Sequence, residues 1–232
     1  MKADAGSNAL PRPPIRSYVL RAGRITRAQR RALDELLPRW GLPFAAAPLD
    51  LDGVFGRHAP RVLEIGFGDG ATLIELAAQS PQVDFIGVEV HPPGVGHCLL
   101  GIESRGLANV RVVVHDAVEM LQAMIAPASL DEVLLQFPDP WPKKRHHKRR
   151  IVQGAFAALV ASRLKPGGLF RLATDWEPYA GWMLEVLEVE PGLVNTAGDR
   201  QFIERPERGV TRFESRGRRL GHRVFDLCFK RI

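Results

Sequence analysis

The sequence predicts a doubly wound α/β sheet, because short apolar runs alternate regularly with segments of helical pattern. The apolar runs are partly β-branched, and several end at an acidic residue, which is typical of buried parallel strands that end at a ligand-binding edge. The chain has 232 residues, of which 45% are hydrophobic and 25% are charged. This length and composition fit one large domain with a sizeable core.

The predicted strands and helices alternate from residue 61 onwards. The predicted strands cover residues 62–65, 84–90, 110–115, 133–135 and 169–174. The predicted helices cover residues 71–79, 94–105, 118–126, 149–164 and 179–188. Two last strands are expected around Phe202 and over residues 222–229, and the final one is expected to be antiparallel because it approaches the sheet like a hairpin.

The region before residue 61 has a different character. Residues 1–15 contain three prolines and little periodic apolar content, which predicts a flexible tail. Residues 16–60 are predicted to form a basic N-terminal extension, in which Thr26 caps a helix and residues 41–60 form a loop. We therefore predict that the α/β domain covers residues 61–232.

The net charge of +6 is unevenly distributed along the chain. Residues 1–31 carry eight cations and one acid, residues 142–150 carry six cations, and residues 205–232 carry nine cations and three acids. The rest of the chain is acidic. Positive charge that is segregated in this way favours a nucleic-acid partner over an ordinary basic surface.

Several classes of protein are disfavoured by the composition. No apolar run approaches the roughly 18 residues that a membrane helix needs, and the N-terminus lacks the apolar core of a signal peptide. Cys98 and Cys228 are too few for a disulfide framework and lack the spacing of metal ligands. We expect a cytoplasmic protein with two reduced thiols and no membrane association.

A glycine-rich turn follows the first predicted strand, with Gly66, Gly68 and Gly70 in the pattern GxGxG. Such a turn lets the backbone approach a ligand closely and opens a helix. Glu89 ends the next strand, about 20 residues later, where an acid can accept hydrogen bonds from ribose hydroxyls. The carboxylate of Glu64, just before the turn, would repel a pyrophosphate but not a cationic methionine portion. The pattern favours S-adenosylmethionine over a nicotinamide cofactor, although Glu64 could instead cap nearby backbone amides.

Acidic residues stand at the C-terminal ends of five predicted strands. They are Glu64, Glu89, Asp116, Asp139 and Asp175. Asp116 alone could bind an adenine amino group or simply start a turn. Because independent turn residues would rarely align in this way, the set predicts one ligand site at the carboxyl edge of the sheet.

The stretch FPDPWP at residues 137–142 ends the fourth predicted strand abruptly. Its three prolines cannot donate to a ladder and restrict the residues before them, so Asp139 and Trp141 are held outside regular structure. Trp141 could stack on a base or anchor the loop, and the sequence favours neither.

A dense basic run follows this loop. Its cations are Lys143, Lys144, Arg145, Lys148, Arg149 and Arg150. The run could simply be a solvated helix start. Cations at a helix N-terminus are unfavourable to the helix dipole, however, so their concentration predicts contacts with RNA phosphates by residues 145–150, His146 and His147 included. The two histidines have no cysteine or acid at ligand spacing, so we expect no metal site.

Five stretches of the chain resemble the bacterial tRNA (guanine-N7-)-methyltransferase family: VLEIGFGDG, FIGVEVHPPGVG, FPDPWPKKRHHKRR, TDWEPYAGWM and TRFESRGRRLGH. The resemblance runs from about Arg16 to the C-terminus. It implies a class I, Rossmann-like methyltransferase fold with a seven-stranded, mostly parallel sheet. It also implies methylation of guanine 46 in the variable loop of tRNA. The sequence leaves the oligomeric state open between monomer and homodimer.

The resemblance also implies roles for individual residues. The implied cofactor contacts are Glu64, Glu89, Asp116 and Asp139, beside the glycine turn. The implied substrate contacts are Lys143, Asp175, Thr211, Arg212, Phe213 and Glu214. Without the resemblance, the last four residues suit recognition of a base and a phosphate, or equally an ion pair on an edge strand. Asp69, inside the glycine turn, departs from the residue often found in relatives.

The chemistry of this reaction needs no general base, because guanine N7 bears a lone pair and no proton. The enzyme must align N7 with the methyl group and stabilise the positive charge that moves onto the purine. Asp139 suits both tasks, since a carboxylate can accept hydrogen bonds from the Watson–Crick edge of guanine. We expect Asp139 to be the catalytic residue.

Two other functions are compatible with parts of the sequence. A nicotinamide-dependent oxidoreductase would use the same glycine turn, and a non-catalytic RNA-binding protein would use the same cations. The five acids at strand ends disfavour the second alternative, because a pure RNA binder gains nothing from carboxylates near phosphates.

Overall fold

The computed structural model describes residues 15–19, 23–206, 214, 221 and 223–232. Within these ranges one sheet contains β1 (Arg61–Ile65), β2 (Asp84–Glu89), β3 (Val110–Val114), β4 (Leu130–Gln136), β5 (Leu164–Thr174), β6 (Leu193–Asn195) and β7 (Phe225–Arg231). The strand order is β3-β2-β1-β4-β5-β7-β6. The first five strands are parallel, and β7 runs antiparallel to both β5 and β6. The prediction of a seven-stranded, mostly parallel sheet is therefore confirmed.

Helices cover both faces of the sheet. They are α1 (Arg27–Arg31), α2 (Leu37–Trp40), α3 (Leu51–Phe55), α4 (Ala71–Gln79), α5 (Pro92–Arg105), α6 (Ala117–Ala123), α7 (Gly154–Arg163) and α8 (Glu177–Glu188). A π-helical turn, Ala32–Leu36, joins the first two, and the basic run forms a 3₁₀ helix, Lys144–Arg149. None of the helices in the described ranges has the length and apolar character needed to span a bilayer.

The N-terminal cap is confirmed, whereas the predicted loop is partly wrong. Thr26 Oγ1 accepts the backbone amide of Gln29, and the Gln29 side chain accepts the amide of Thr26, which completes a capping box. Within residues 41–60, helix α3 forms because the Asp50 side chain accepts the amide of Gly53 at 3.1 Å.

Two predicted elements are placed differently in the structure. The helix expected over residues 149–164 begins only at Gly154, because residues 144–149 take the tighter 3₁₀ form first. The strand expected around Phe202 is instead β6, and Ile203 forms only an isolated bridge with Asp226. The Phe202 ring packs against the ring of Phe225, with 5.1 Å between the two centroids.

Apolar side chains from both faces of the sheet form the core. On one face Phe170, Tyr179 and Phe229 are fully buried with residues of α6, α7 and α8. On the other face Trp40 packs with residues of α4 and α5, so the N-terminal helices share a core with the sheet. The predicted domain boundary at Arg61 stays a prediction.

A buried ion cluster lies at the amino edge of the sheet, opposite the acidic strand ends. Asp84 is completely buried, and its carboxylate contacts Arg61 at 2.6 Å and Arg57 Nε at 2.9 Å. Arg61 is itself buried and also reaches Asp52 at 2.7 Å. Removal of one member would leave an uncompensated charge in the interior.

Replacing Asp84 with Ala should destabilise the protein by about 3–5 kcal/mol, because it leaves the buried Arg61 without its main partner. Urea unfolding measures the effect. Glu103→Ala is the control, since Glu103 pairs with Arg31 at 2.8 Å across an exposed surface and should lose at most about 1 kcal/mol. Equal losses in the two variants would contradict a structural role for the buried cluster.

Candidate active site

The glycine turn between β1 and α4 is left-handed at all three glycines. The φ angles are 67° at Gly66, 61° at Gly68 and 77° at Gly70. A Cβ atom on Gly70 would lie 2.5 Å from the Cβ of Cys98, so this glycine lets the turn pack against α5. A Cβ on Gly66 or Gly68 would meet open space. The turn therefore exposes bare backbone beside a crevice that can receive a ligand.

Glu64 lies in β1 directly before this turn and is only 3% exposed. Its Oε2 atom has no hydrogen-bond partner among the described residues. Burial, with smaller contributions from Asp69 and Glu89, raises the pKa of Glu64 to about 8. The side chain therefore does not cap backbone amides, which was the alternative interpretation. A buried carboxyl group with a free acceptor fits a ligand that brings a cation to it.

Glu89, at the end of β2, connects the second strand to the glycine turn. Its Oε2 accepts the amide of Gly68 at 2.9 Å, and its Oε1 accepts the amides of Val90 and His91 at 2.7 and 3.0 Å. These bonds fix the carboxylate at the mouth of the crevice. It is half-buried, so it can still accept hydrogen bonds from a ligand.

Asp116, after β3, caps α6 and also pairs with the N-terminal segment. Its Oδ1 accepts the amides of Val118 and Glu119, which supports the turn interpretation. Its Oδ2 accepts from Arg16 at 2.8 Å, and the same guanidinium contacts Glu119 at 2.6 Å. The sequence did not indicate that residues 15–19 would reach this edge of the sheet.

The Asp139 loop follows β4 and has a constrained backbone. Phe137 and Trp141, on either side of it, have φ angles of 51° and 45°, which are unfavourable for residues with a side chain. Arg150 Nε donates to the carbonyl of Pro140 at 3.0 Å and so restrains the loop. Asp139 is exposed at the tip. The β1–β4 pairing, with Ile65 beside Leu135, places this loop next to the glycine turn.

Trp141 acts as an anchor of the loop in this structure. Its Nε1 donates to the carbonyl of Ser17 at 3.1 Å, and the Arg149 guanidinium lies over its ring at 4.1 Å. Arg149 also donates to the carbonyls of Arg16 and Tyr18. Residues 15–19 therefore form a strap that joins the Asp116 side of the site to the basic run.

The cations of the basic run divide into exposed and buried members. The exposed ones are Lys143, Lys144, Arg145 and Lys148, while His146, His147 and Arg149 are half-buried. Arg150 is only 3% exposed, and its guanidinium lies over Tyr179 at 4.8 Å and Trp182 at 5.3 Å. Arg150 was expected to contact RNA, but its guanidinium is buried against these two aromatic rings inside the fold.

The remaining predicted substrate residues are only partly described. Asp175 follows β5 at the same edge of the sheet and is half-buried. Glu214 is completely buried and accepts from Arg205 Nε at 2.8 Å, so it forms an ion pair as the alternative interpretation required. Thr211, Arg212 and Phe213 lie outside the described residues. The part of the chain that the structure describes contains no cluster of His, Cys, Asp or Glu that could hold a metal ion.

Two residues at this edge were not predicted from the sequence. Arg16 reaches Asp116 over a separation of 100 positions, and no local pattern indicates such a contact. Trp176 directly follows the strand-end Asp175 and is 37% exposed. Its position one residue after a strand-end acid is the signal that could have identified it.

The chain matches a family model and is similar to several named enzymes. Residues 58–227 match the family model of a putative methyltransferase. The tRNA (guanine-N(7)-)-methyltransferase of Pseudomonas syringae pv. syringae (strain B728a) is 57% identical over 223 residues, which covers 96% of this chain and 91% of the relative. The protein of the same name from Pseudomonas putida (strain W619) is 56% identical over 225 residues, covering 97% and 94% of the two chains.

Solved structures with low identity share the fold. The 16S rRNA methyltransferase KamB has a TM-score of 0.54 at 18% identity and covers 79% of this chain and 94% of its own. The aminoglycoside resistance methyltransferase NpmB1 has a TM-score of 0.53 at 16% identity, with coverages of 79% and 92%. These similarities confirm the class I methyltransferase fold.

In the absence of cofactor, replacing Glu64 with Gln should raise the free energy of unfolding above that of the parent, by an amount that grows as the pH rises. The folded pKa of about 8 exceeds the ordinary 4.5, so between these values the folded state keeps a proton that the unfolded state has lost. The stability of the parent therefore falls over this range by up to about 1.4 kcal/mol per pH unit, whereas the Gln side chain does not titrate. Urea unfolding of both proteins at acidic, neutral and alkaline pH measures the difference. A difference that does not vary with pH would contradict the raised pKa.

Proposed function

The chain belongs to the tRNA (guanine-N(7)-)-methyltransferase family, and on this premise we propose that it methylates N7 of guanine 46 in the variable loop of tRNA. The observation that carries the proposal is the adjacency of the glycine turn and the constrained Asp139 loop at one edge of the sheet. One loop can hold the methyl donor while the other positions the base. Because the substrate is tRNA, we also place the enzyme in the cytoplasm.

The proposed cofactor is S-adenosylmethionine, which when bound supplies an electrophilic methyl group on a sulfonium together with an ammonium, a ribose and an adenine. Glu64 is proposed to receive the ammonium, since it is buried beside the turn and has a free acceptor atom. Glu89 is proposed to accept the ribose hydroxyls and Asp116 the adenine amino group. Gly66 and Gly68 leave room for the ligand against the backbone.

Asp139 is proposed to position guanine and to stabilise the charge it gains. Its carboxylate can accept the N–H groups of the Watson–Crick edge, which orients N7 on the opposite side of the ring. Because the loop backbone is restricted by prolines and held by Arg150, little reorganisation is needed when charge develops. The N7 lone pair is already free, so no residue has to remove a proton first.

The tRNA is proposed to cross the exposed part of the basic run. Lys144, Arg145 and Lys148 are exposed and can neutralise phosphates, with His146 and His147 beside them. Lys143 and Asp175 are proposed to contact the substrate closer to the base, together with Thr211, Arg212 and Phe213. Arg149 and Arg150 support this surface from within the fold.

Incubation with labelled S-adenosylmethionine and a tRNA transcript tests the proposed reaction. We expect 7-methylguanosine in the digested product, and no labelled product from a transcript in which guanine 46 is replaced by adenine. Methylation of another nucleoside, or unchanged labelling of the altered transcript, would overturn the assignment.

Replacing Asp139 with Asn should lower the single-turnover rate by on the order of a hundredfold, because the shape of the side chain remains while its charge is lost. Calorimetric titration with S-adenosylmethionine and binding of tRNA are measured on the same variant. Asp199→Asn, an exposed change near β6, serves as the control. If the rate falls only as far as cofactor occupancy falls, Asp139 is a binding residue and not a catalytic one.

Changing Lys144, Arg145 and Lys148 together to Gln should weaken tRNA binding and reduce the slope of log K against log salt by up to about three. In the control variant Arg105 and Lys230 are likewise changed to Gln. Both side chains are exposed towards the opposite edge of the sheet. Cofactor affinity should stay unchanged in both variants. An unaltered salt slope in the triple variant would exclude these cations from the RNA path.

A further inference from the structure

An exposed tryptophan stands between two clefts at the carboxyl edge of the sheet. Trp176 is 37% exposed, although it begins a well-packed helix. One cleft, of about 320 Å³, runs from Trp176 towards Pro142 and His147 of the basic run. The other, of about 410 Å³, runs from the same indole towards Asp175 and Arg223. The exposed part of this indole lines both clefts, so a flat group of a ligand that enters either cleft can pack against it.

The backbone around Trp176 is fixed even though its ring is exposed. Its amide donates to Thr174 Oγ1 at 3.2 Å. Its carbonyl accepts the amides of Tyr179 and Ala180 at 2.8 and 3.0 Å, which starts α8. Pro178 further restricts this turn. The indole is therefore presented on a rigid support.

The far wall of the first cleft is equally well ordered. Trp182 Nε1 donates to the carbonyl of Val152 at 2.7 Å, and the Arg150 guanidinium lies over its ring. The His147 ring is 6.1 Å from the ring of Trp182. The cleft thus has flat aromatic walls that are already in place, which is the type of surface on which nucleobases stack.

The position of the cleft connects it to the proposed reaction. Trp176 directly follows Asp175, and Pro142 lies three positions after Asp139, so the cleft is lined by residues close in the chain to both acids assigned to the target guanine. The exposed cations Lys144 and Arg145 follow Pro142 on the same segment. A strand whose phosphates contact these cations would bring a base next to the target into the cleft.

We propose that Trp176 and the first cleft bind the nucleobase adjacent to the methylated guanine in the RNA strand. This inference rests on the proposed function and extends it to a second base. Stacking on an aromatic ring depends little on which base is present, so the subsite holds the strand in register and not one particular sequence. Trp176 is thus a residue that positions the substrate beside the catalytic loop.

The test compares Trp176→Ala with the parent enzyme on three transcripts: an intact tRNA and two versions with an abasic nucleotide immediately before or after the target guanine. The Ala variant should lose about tenfold in kcat/KM on the intact transcript. With the abasic site on the stacked side, the parent should lose a similar factor and the variant should lose no more. Trp176→Phe should recover most of the loss. Val189→Ala, at an exposed site near the end of α8, is the control and should behave as the parent.

Equilibrium binding of the same transcripts is measured in parallel, so that the subsite is tested whether or not the guanine is methylated. If the binding losses caused by Trp176→Ala and by one abasic site are not additive, the subsite is supported. If the two losses are purely additive with both abasic transcripts, the subsite is overturned. A failure of the proposed function would be seen separately, as absence of 7-methylguanosine from the parent enzyme on intact tRNA. Affinity for S-adenosylmethionine should be unchanged in Trp176→Ala, and its loss together with unfolding at lower temperature would indicate a structural role instead.

Discussion

The parallel pairing of β1 with β4 is the constraint on which the site depends. It changes the direction in which strands are added, so that β2 and β3 lie on one side of β1 and β5 lies beyond β4. At such a point the loops that follow the two central strands separate and leave a crevice. The register that sets Ile65 beside Leu135 places the glycine turn and the Asp139 loop on its two sides. A ligand bound by the glycine turn and a second ligand bound by the Asp139 loop can therefore meet in this crevice.

The charges around this crevice are arranged by sign. Acidic side chains stand at the strand ends, and Glu64 is so deeply buried that its pKa is raised to about 8. Cations occupy the segment after the Asp139 loop, where most of them are exposed. A site of this kind is suited to a cationic cofactor on one side and a polyanion on the other. The arrangement also explains why the net charge alone says little about the partner.

The basic run shows that one short segment can have two physical roles. Its lysines are exposed, whereas its last two arginines make contacts within the fold. Arg150 donates to the carbonyl of Pro140 in the loop, and the Arg149 guanidinium lies over the ring of Trp141. Arg suits this task better than Lys, because its planar guanidinium stacks and donates in several directions. The strap of residues 15–19 depends on the same interactions, since Arg149 holds two of its carbonyls. The basic run, the strap and the Asp139 loop are therefore joined by direct contacts.

The fold class, the strand-end acids and the position of the Asp139 loop could be predicted from the sequence, because strand periodicity, glycine turns and proline restriction are local properties of the chain. It also predicted a cationic surface for RNA. Three features became apparent in the packed fold alone: Arg150 is buried, Arg16 reaches Asp116, and Trp176 stays exposed beside a cleft. These features depend on contacts between segments far apart in the chain, and neither spacing nor composition specifies which side chains the packed fold covers. Likewise, three consecutive residues of β6 pair with β7, whereas Ile203 makes only an isolated bridge to Asp226 of the same strand.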